Sequence, residues 1–352
     1  METSILTANR DSRLSMAALK RVALILVVFG VALGAGCGGN NASTWVAPAI
    51  PQSPVLTASP VYGENASDVE SANVIHASDG KYYWYYHYLD PVHYHISVLT
   101  SDTPEGPWTR SPLNPILSAS APGTWDDQSV ACATVKEIAR KFYMYYCGLN
   151  SAGPTWSVGL ATADAPEGPW TKQGEIVPTF GYDTSVVQHD GLYWMYSEYP
   201  IVGQPSPWSY MLNGAPVQWD YGLVSVATSS TPEGPWSISQ VVLGLSANPW
   251  ENGASGGGGF VFASEGRYLM LYSATPANAV RADLKDSIGY AYSSDGVNFT
   301  RSQYNPILSD PVISLMNVMV LAENGKIYVY YSRQVDGTYS LGQVTLNSLP
   351  VN

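Results

Sequence analysis

Two short runs, Asp127-Gln128-Ser129-Val130 and Asp183-Thr184-Ser185-Val186, share the pattern Asp-x-Ser-Val at the head of an apolar stretch. Glu70 stands four places before Val74 in Asp68-Val69-Glu70-Ser71-Ala72-Asn73-Val74, and Glu251 follows Trp250 upstream of Phe260-Val261-Phe262. If the fold gathers such acids, burial and mutual repulsion drive their pKa values apart. One then keeps its proton while another stays ionised, which is the equipment of general acid–base catalysis. The shared pattern predicts that Asp127 and Asp183 occupy equivalent places. Glu70, with Asp68 beside it, and Glu251 are the further candidates, and Asp126 reads as a turn residue. The competing reading is that these acids cap strands or hold a structural cation, so a Ca²⁺ in a central channel is compatible with the set, although no other cofactor is implied. Trp125 and Trp250 each precede an acid directly; each is either a stacking platform for a ligand or packing inside the sheet. The five histidines, at 76, 87, 93, 95 and 189, have no metal-ligand spacing, although His93 and His95 alternate as on one face of a strand.

What must position these groups is a repeat. Thr100–Thr109 (TSDTPEGPWT), Thr162–Thr171 (TADAPEGPWT) and Thr228–Ser237 (TSSTPEGPWS) are near copies, and Ser293–Thr300 (SSDGVNFT) is a weaker echo. Their anchors Trp108, Trp170, Trp236 and Phe299 are 62, 66 and 63 residues apart, and Asn114-Pro115-Ile116-Leu117 recurs as Asn305-Pro306-Ile307-Leu308. Before each copy, a turn such as Asp79-Gly80, Asp190-Gly191 or Asn324-Gly325 leads into a Tyr-rich strand. A period of sixty-odd residues holding several short strands predicts an all-β five-bladed β-propeller, with units starting near residues 70, 127, 183, 256 and 314. The fifth unit lacks the Pro-Glu-Gly-Pro-Trp turn, and a strand within Val55–Tyr62 is expected to complete it and close the ring. The repeated turn serves blade geometry, with its Trp plugging between blades; a unique site must come from residues that break the repeat. The insertion Tyr199–Asp220, with Trp208 and Trp219, lengthens the third unit at a rim where binding loops gather.

Composition agrees. The 352 residues include 32 Gly, 25 Pro, 25 Tyr and 11 Trp, and only 12% are charged. Such a chain favours strands joined by tight turns. A net charge of −12 argues against nucleic acid as a partner. Residues 1–36 read as a secretory signal: four basic residues, the apolar run Val22–Leu33, then Gly34-Ala35-Gly36 before Cys37. Cys37 is the expected lipid-anchored first mature residue on a bacterial cell envelope, ordinary secretion being the alternative. Residues 37–60 read as a flexible tether and 61–352 as the folded, monomeric domain. Cys132 and Cys147 fall on adjacent strands, either bridged or as two buried thiols.

The Tyr-rich strand, the Thr-Pro-Glu-Gly-Pro-Trp-Thr turn and the following Asn-Pro-Ile-Leu resemble the five-bladed glycoside hydrolases of family 43 over roughly residues 60–347. The resemblance implies cleavage of a carbohydrate substrate, of the arabinan or arabinoxylan type, by inversion. It implies an Asp base on the first blade, an orienting Asp on the third and a Glu acid on the fourth. Carried over, Asp183 matches the third-blade Asp, Glu70 or Asp68 serves as base and Glu251 is the nearest acid. Gly256–Gly259 stand where the family has Glu-Gly-Pro. In a rotated register Glu70 becomes the acid and Asp183 the base. A glycan-binding propeller without a general acid is the alternative, and a glycosyl phosphorylase a third.

Overall fold

The computed structural model describes residues 45–350, apart from 66–67, 178–180, 200–207, 213–214, 220–222, 245, 247, 252–258, 265 and 275–284. The signal segment and Cys37 lie outside the described residues. Five four-stranded antiparallel sheets succeed one another along the chain. A short strand β1 (Leu56–Thr57) precedes the first blade, which is β2 (Val69–His76), β3 (Tyr82–Leu89), β4 (Tyr94–Ser101) and β5 (Thr109–Arg110). The second is β6 (Ser129–Ile138), β7 (Lys141–Asn150), β8 (Gly153–Ala163) and β9 (Thr171–Val177). The third holds β10 (Tyr182–His189) and β11 (Leu192–Tyr199). The hairpin β12 (Trp208–Leu212) and β13 (Ala215–Trp219) follows, and β14 (Leu223–Ser229) and β15 (Ser237–Leu243) complete the blade. The fourth is β16 (Phe260–Ser264), β17 (Arg267–Ala274), β18 (Ser287–Ser293) and β19 (Thr300–Arg301). The last is β20 (Ser314–Glu323), β21 (Lys326–Val335) and β22 (Thr338–Leu346), with β1 as its outer strand, Leu56 opposite Leu341.

The ring thus closes through the N-terminal strand, as expected. Residues 50–52, within the segment expected as a tether up to residue 60, pack on the last blade. Ile50 is buried in the last blade's core, and Arg333 donates to the carbonyl oxygens of Pro51 (3.1 Å) and Gln52 (2.8 Å).

The repeated turn is a docking device between blades. In the second strand of a blade, a tyrosine hydroxyl donates to a carbonyl in the turn of the next. Tyr330 bonds to Pro104 (2.7 Å), Tyr85 to Pro166 (2.9 Å), Tyr145 to Pro232 (2.9 Å) and Tyr196 to Gly296 (2.8 Å). The turn's aromatic anchor meets the same tyrosine edge-on: Trp108 on Tyr330, Trp170 on Tyr85, Trp236 on Tyr145 and Phe299 on Tyr196. The equivalent residue of the fourth blade, five places after Gly266, is Leu271. The fifth blade offers no such turn to bond, and Leu271 is buried in the apolar cluster shared with that blade.

A second repeated device ties the outer strand to the loop entering a blade. Glu64, Asp126 and Glu251 are buried, and each joins a tyrosine hydroxyl to a cation. Glu64 accepts from Tyr86 (2.7 Å) and Arg110 (2.6 Å), and Asp126 from Tyr146 (3.0 Å) and Lys172 (2.6 Å). Glu251 accepts from Tyr272 and Arg301, both at 3.0 Å. The cation stands two places after Trp108, Trp170 or Phe299 in every case. The third blade has Ser197 and Ile238 in the corresponding places, and so neither the tyrosine nor the cation of the strut.

Two predictions follow from these devices. Tyr145→Phe leaves the Pro232 carbonyl without its donor and should lower unfolding free energy by ~1–2 kcal/mol, read from urea midpoints. Glu251→Gln breaks the ion pair with half-buried Arg301 and should cost at least as much, up to ~3 kcal/mol, in the same assay. An unchanged midpoint in either variant contradicts the assigned role.

Candidate functional site

Four inner strands carry one extra residue near their start, a β-bulge. The ladder shifts between Ser71 and Asn73, Ala131 and Thr134, Tyr182 and Ser185, and Met316 and Met319. A bulge re-aims a side chain where a strand meets a site. In three blades the bulge holds a residue in the left-handed region: Cys132 (φ 51°), Asp183 (φ 46°) and Asn317 (φ 46°). Asp and Asn tolerate that region better than most residues, because the short side chain can hydrogen-bond locally.

The ladders correct the expected match of Asp127 with Asp183. Val186 faces Met195 and Val135 faces Met144, and Met195 and Met144 stand at the same offset from their hairpin turns. Asp183 therefore corresponds to Cys132, and Asp-x-Ser-Val in the second blade lies five residues too early. Asp127 is a loop clamp instead. Its carboxylate accepts from the Gly123 N–H (2.7 Å), the Ser151 N–H (2.7 Å) and the Ser151 hydroxyl (2.8 Å), which hold it below the usual carboxylate range. Asp126, read as a turn residue, is a buried strut. Glu251 is likewise a strut: burial raises its pKa, but bonds from Ser246, Asn248 and Arg301 outweigh this and keep it ionised. Trp125 packs over Gly148 and Gly159 against Tyr146, and Trp250 over Gly289 against Tyr272. A β-carbon on Gly159 or Gly289 would meet the indole, so these tryptophans are packing residues rather than platforms.

Glu70 and Asp183 do share a neighbourhood. Glu70 lies opposite His87 in the ladder, and the His87 Nε2 is 3.6 Å from its Oε2. Asn317, from the last blade, donates to the same oxygen at 2.6 Å. Asp68 stands two places before Glu70 on the same face; its Oδ2 accepts from the Tyr94 hydroxyl, and its Oδ1 is buried. Asp183, buried on the third blade, is close enough to help raise the pKa of His87. Tyr94, Trp156 and Tyr182 form an edge-to-face run, with ring centres 6.4 and 5.4 Å apart, over the buried free thiols Cys132 and Cys147.

The carboxylates are pushed in opposite directions. Burial and then the charge of Glu70 drive Asp68 up to about 8. Burial also acts upward on Glu70, but His87, Asp68 and Asn317 outweigh it and hold Glu70 below its ordinary value. Burial lowers His87, yet Glu70 first, then Asp68 and Asp183, bring it above its ordinary value. This cluster, called the mouth below, therefore holds a protonated carboxyl beside an ionised one at neutral pH. Ligating atoms of Asp68, Glu70 and His87 lie within 4.8 Å of one another, so these three residues could also hold a small divalent cation.

Sequence reasoning missed His87, Asn317, Tyr94, Trp156 and Tyr182. The only available signal was positional: Asn317-Val318-Met319-Val320 and Asp183-Thr184-Ser185-Val186 stand at the same distance before the hairpin turn. Trp208 and Trp219 of the expected rim insertion are paired in the β12–β13 ladder; their side chains lie outside the described residues.

Residues 113–213 match the sequence model of the glycosyl hydrolases family 43. No curated protein matches this sequence. Among solved structures, a thermostable family-43 glycoside hydrolase is 18% identical (TM-score 0.59), over 79% of this chain and 89% of that one. An endo-arabinase from Bacteroides thetaiotaomicron is 16% identical (TM-score 0.56; 81% and 96% covered). A β-1,2-mannobiose phosphorylase from Listeria innocua is 14% identical (TM-score 0.61; 83% and 94% covered). With its ring of five blades and its partial match to that family's sequence model, the chain is a family-43-like five-bladed β-propeller.

Proposed function

We propose that this protein is a glycoside hydrolase whose mouth, built by Asp68, Glu70, His87, Asp183 and Asn317, cleaves glycosidic bonds. The observation that carries the reading is the gathering of Asp68, Glu70 and His87 within 4.8 Å, with Asn317 of the last blade bonded to Glu70 and buried Asp183 of the third blade near His87; burial and charge push Asp68 and Glu70 in opposite directions there. Asp68 donates the proton to the leaving oxygen. Glu70, fixed by His87 and Asn317, keeps that proton on Asp68 through its own charge. Asp68 and Glu70 lie too close together to flank a sugar ring with a water between them, so the base comes from the third blade. Asp183 takes that role and activates water, the arrangement of an inverting enzyme. It shares with the rotated register the base Asp183 and an acid on the first blade, but that acid is Asp68 in place of Glu70. Tyr94, Trp156 and Tyr182 supply ring faces and hydroxyls for the sugar. The arabinan and arabinoxylan class rests on the family-43 likeness and the endo-arabinase neighbour.

Asp183→Asn preserves a residue that tolerates the left-handed backbone and should lower kcat/KM on the best substrate of an arabinan and arabinoxylan panel by at least ~10². Glu70→Gln should do the same, whereas Glu251→Gln should retain turnover below its unfolding temperature. Proton NMR of the first-formed product should show the inverted anomer. A wild type that binds the panel but turns none of it over would favour the glycan-binding alternative.

The pH dependence has a defined sign. A carboxyl raised from 3.8 to about 8 works as an acid below that value, so kcat/KM should fall as pH rises through about 8. The same shift favours the fold most at low pH, and that contribution fades as pH rises from about 4 to about 8. Asp68→Asn should remove most activity and flatten the decline of melting temperature over that window. A melting temperature whose pH profile is the same in Asp68→Asn and wild type would show that Asp68 is not buried as a neutral acid.

A further inference from the structure

His95, one residue beyond the mouth tyrosine Tyr94, points to the opposite face of β4, where it completes an arrangement separate from the carboxylate cluster. Its Nε2 is 2.9 Å from Asp90 Oδ2, and its Nδ1 is 2.9 Å from the Ser118 hydroxyl. Asp90 sits in the loop between β3 and β4. Ser118 follows Leu117, which bridges to Ile96 beside His95. The three residues are brought together by a strand, its preceding loop and the loop that leaves the first blade.

The proton positions are determined by the partners. Asp90 Oδ1 accepts the Val92 and His93 N–H groups, both at 2.6 Å. Partial burial acts upward on Asp90, but these bonds and His95 keep it ionised below its ordinary range. An ionised carboxylate only accepts, so Nε2 carries the hydrogen. In neutral His95, Nδ1 is then a lone pair facing the Ser118 O–H. This is the tautomer of a base poised to take a proton from a serine, with an acid orienting the ring. Ser118, His95 and Asp90 are all at least partly exposed, so a substrate can reach the hydroxyl.

We propose that Ser118, His95 and Asp90 form a second hydrolytic centre, acting on carboxylic esters with a small acyl group. Ser118 Oγ bonds to the ester carbonyl carbon while its proton passes to His95 Nδ1. The bond from that carbon to the alkoxy oxygen breaks, and the leaving alkoxide takes the proton from His95. Water then attacks the acyl-serine, His95 again taking and returning the proton, and a carboxylic acid is released. No oxidant or cofactor is needed. The Lys172 ammonium, which donates to the Ser118 carbonyl oxygen at 2.6 Å, to the Ser120 hydroxyl at 2.8 Å and to Asp126 at 2.6 Å, fixes the backbone that carries Ser118. Because the loop before β4 lies at the end of the blade where Tyr94 meets Asp68, the acyl group is one carried on a sugar hydroxyl. That refinement rests on the glycosidase reading; the esterase chemistry does not.

The test uses the intact protein with p-nitrophenyl acetate and with a fluorophosphonate that phosphorylates activated serines. Wild type should release p-nitrophenol with saturation and take up one fluorophosphonate at the peptide containing Ser118. Ser118→Ala and His95→Asn should each lower kcat/KM at least ~10²-fold and abolish labelling, with unchanged melting temperatures and unchanged glycan turnover. Labelling elsewhere, no labelling, or ester cleavage that survives Ser118→Ala would overturn the proposal. Glycan turnover, measured separately, reports on the carboxylate mouth alone, so either centre can fail without the other.

Discussion

One contact repeated around the ring makes the rest possible: a tyrosine hydroxyl of one blade held by a turn carbonyl of the next, with an indole or phenyl edge sealing the joint. A four-stranded sheet alone leaves both edges and both faces incomplete, and a twisted sheet cannot cover itself. Docking neighbours through Tyr85, Tyr145, Tyr196 and Tyr330 buries the faces pairwise and fixes the angle between successive sheets. The fifth joint is made differently. Leu271 replaces the tyrosine, the last blade brings no turn, and β1 pairs with β22 so that the first and last parts of the chain share one sheet. The joint lacking the polar contact is thus next to the blade in which the two ends of the folded chain are joined.

Closure decides where chemistry can occur. Inner strands converge toward an axis, and side chains there belong to different blades although they share one small space. Inter-blade bonds keep these strands in step. Asn73 accepts the Val135 N–H at 3.0 Å, Thr134 donates to the Thr184 carbonyl, and the Ser185 hydroxyl links to Gly259 and Val261. Just above this belt the bulges turn Asp183 and Asn317 out of the ladder. The belt holds the backbone rigid where the bulge departs from it, so a strained φ is maintained by surrounding pairs. Rigid inner strands are suitable supports for groups that must keep their spacing during a reaction.

Much of this was legible in the residues. The Pro-Glu-Gly-Pro-Trp copies and the Tyr-rich strands revealed the ring, the number of blades and the closing strand, because identical local chemistry repeats where identical geometry is needed. The site was less legible for the same reason. A four-residue pattern, Asp-x-Ser-Val, matched Asp127 to Asp183, although only counting back from the hairpin turn gives the true register. Glu251 and Trp250 stood out as an acid with an aromatic, yet Trp125-Asp126 has the same pair in the second blade, and both belong to struts. That recurrence, together with the basic residue two places after Trp108, Trp170 and Phe299, was available in the sequence as a sign of structural duty. His87, Asn317 and Trp156 carry no such signal. His87 meets Glu70 across the first blade's own ladder, whereas Asn317 of the last blade reaches Glu70, and Trp156 of the second blade reaches Tyr182, only once neighbouring blades pack.

The distribution of cations separates the two kinds of acid. With 16 Lys and Arg against 28 Asp and Glu, not every carboxylate in this chain can have a permanent positive partner of its own. The struts take theirs in full: Arg110, Lys172 and Arg301 each pair with a buried acid, and at Glu251 the bonds from Ser246, Asn248 and Arg301 hold the carboxyl below its ordinary value. At the mouth the partners are of another sort. Asn317 is neutral, Tyr94 is a weak donor, and His87 is charged only when protonated. Burial then acts on Asp68 with little to oppose it, and the cluster retains a proton that an arginine in the place of His87 would expel. Among the described residues, what distinguishes Asp68 and Glu70 from the struts is therefore less the presence of acids, which both have, than partners that are neutral or titratable where the struts have arginine or lysine.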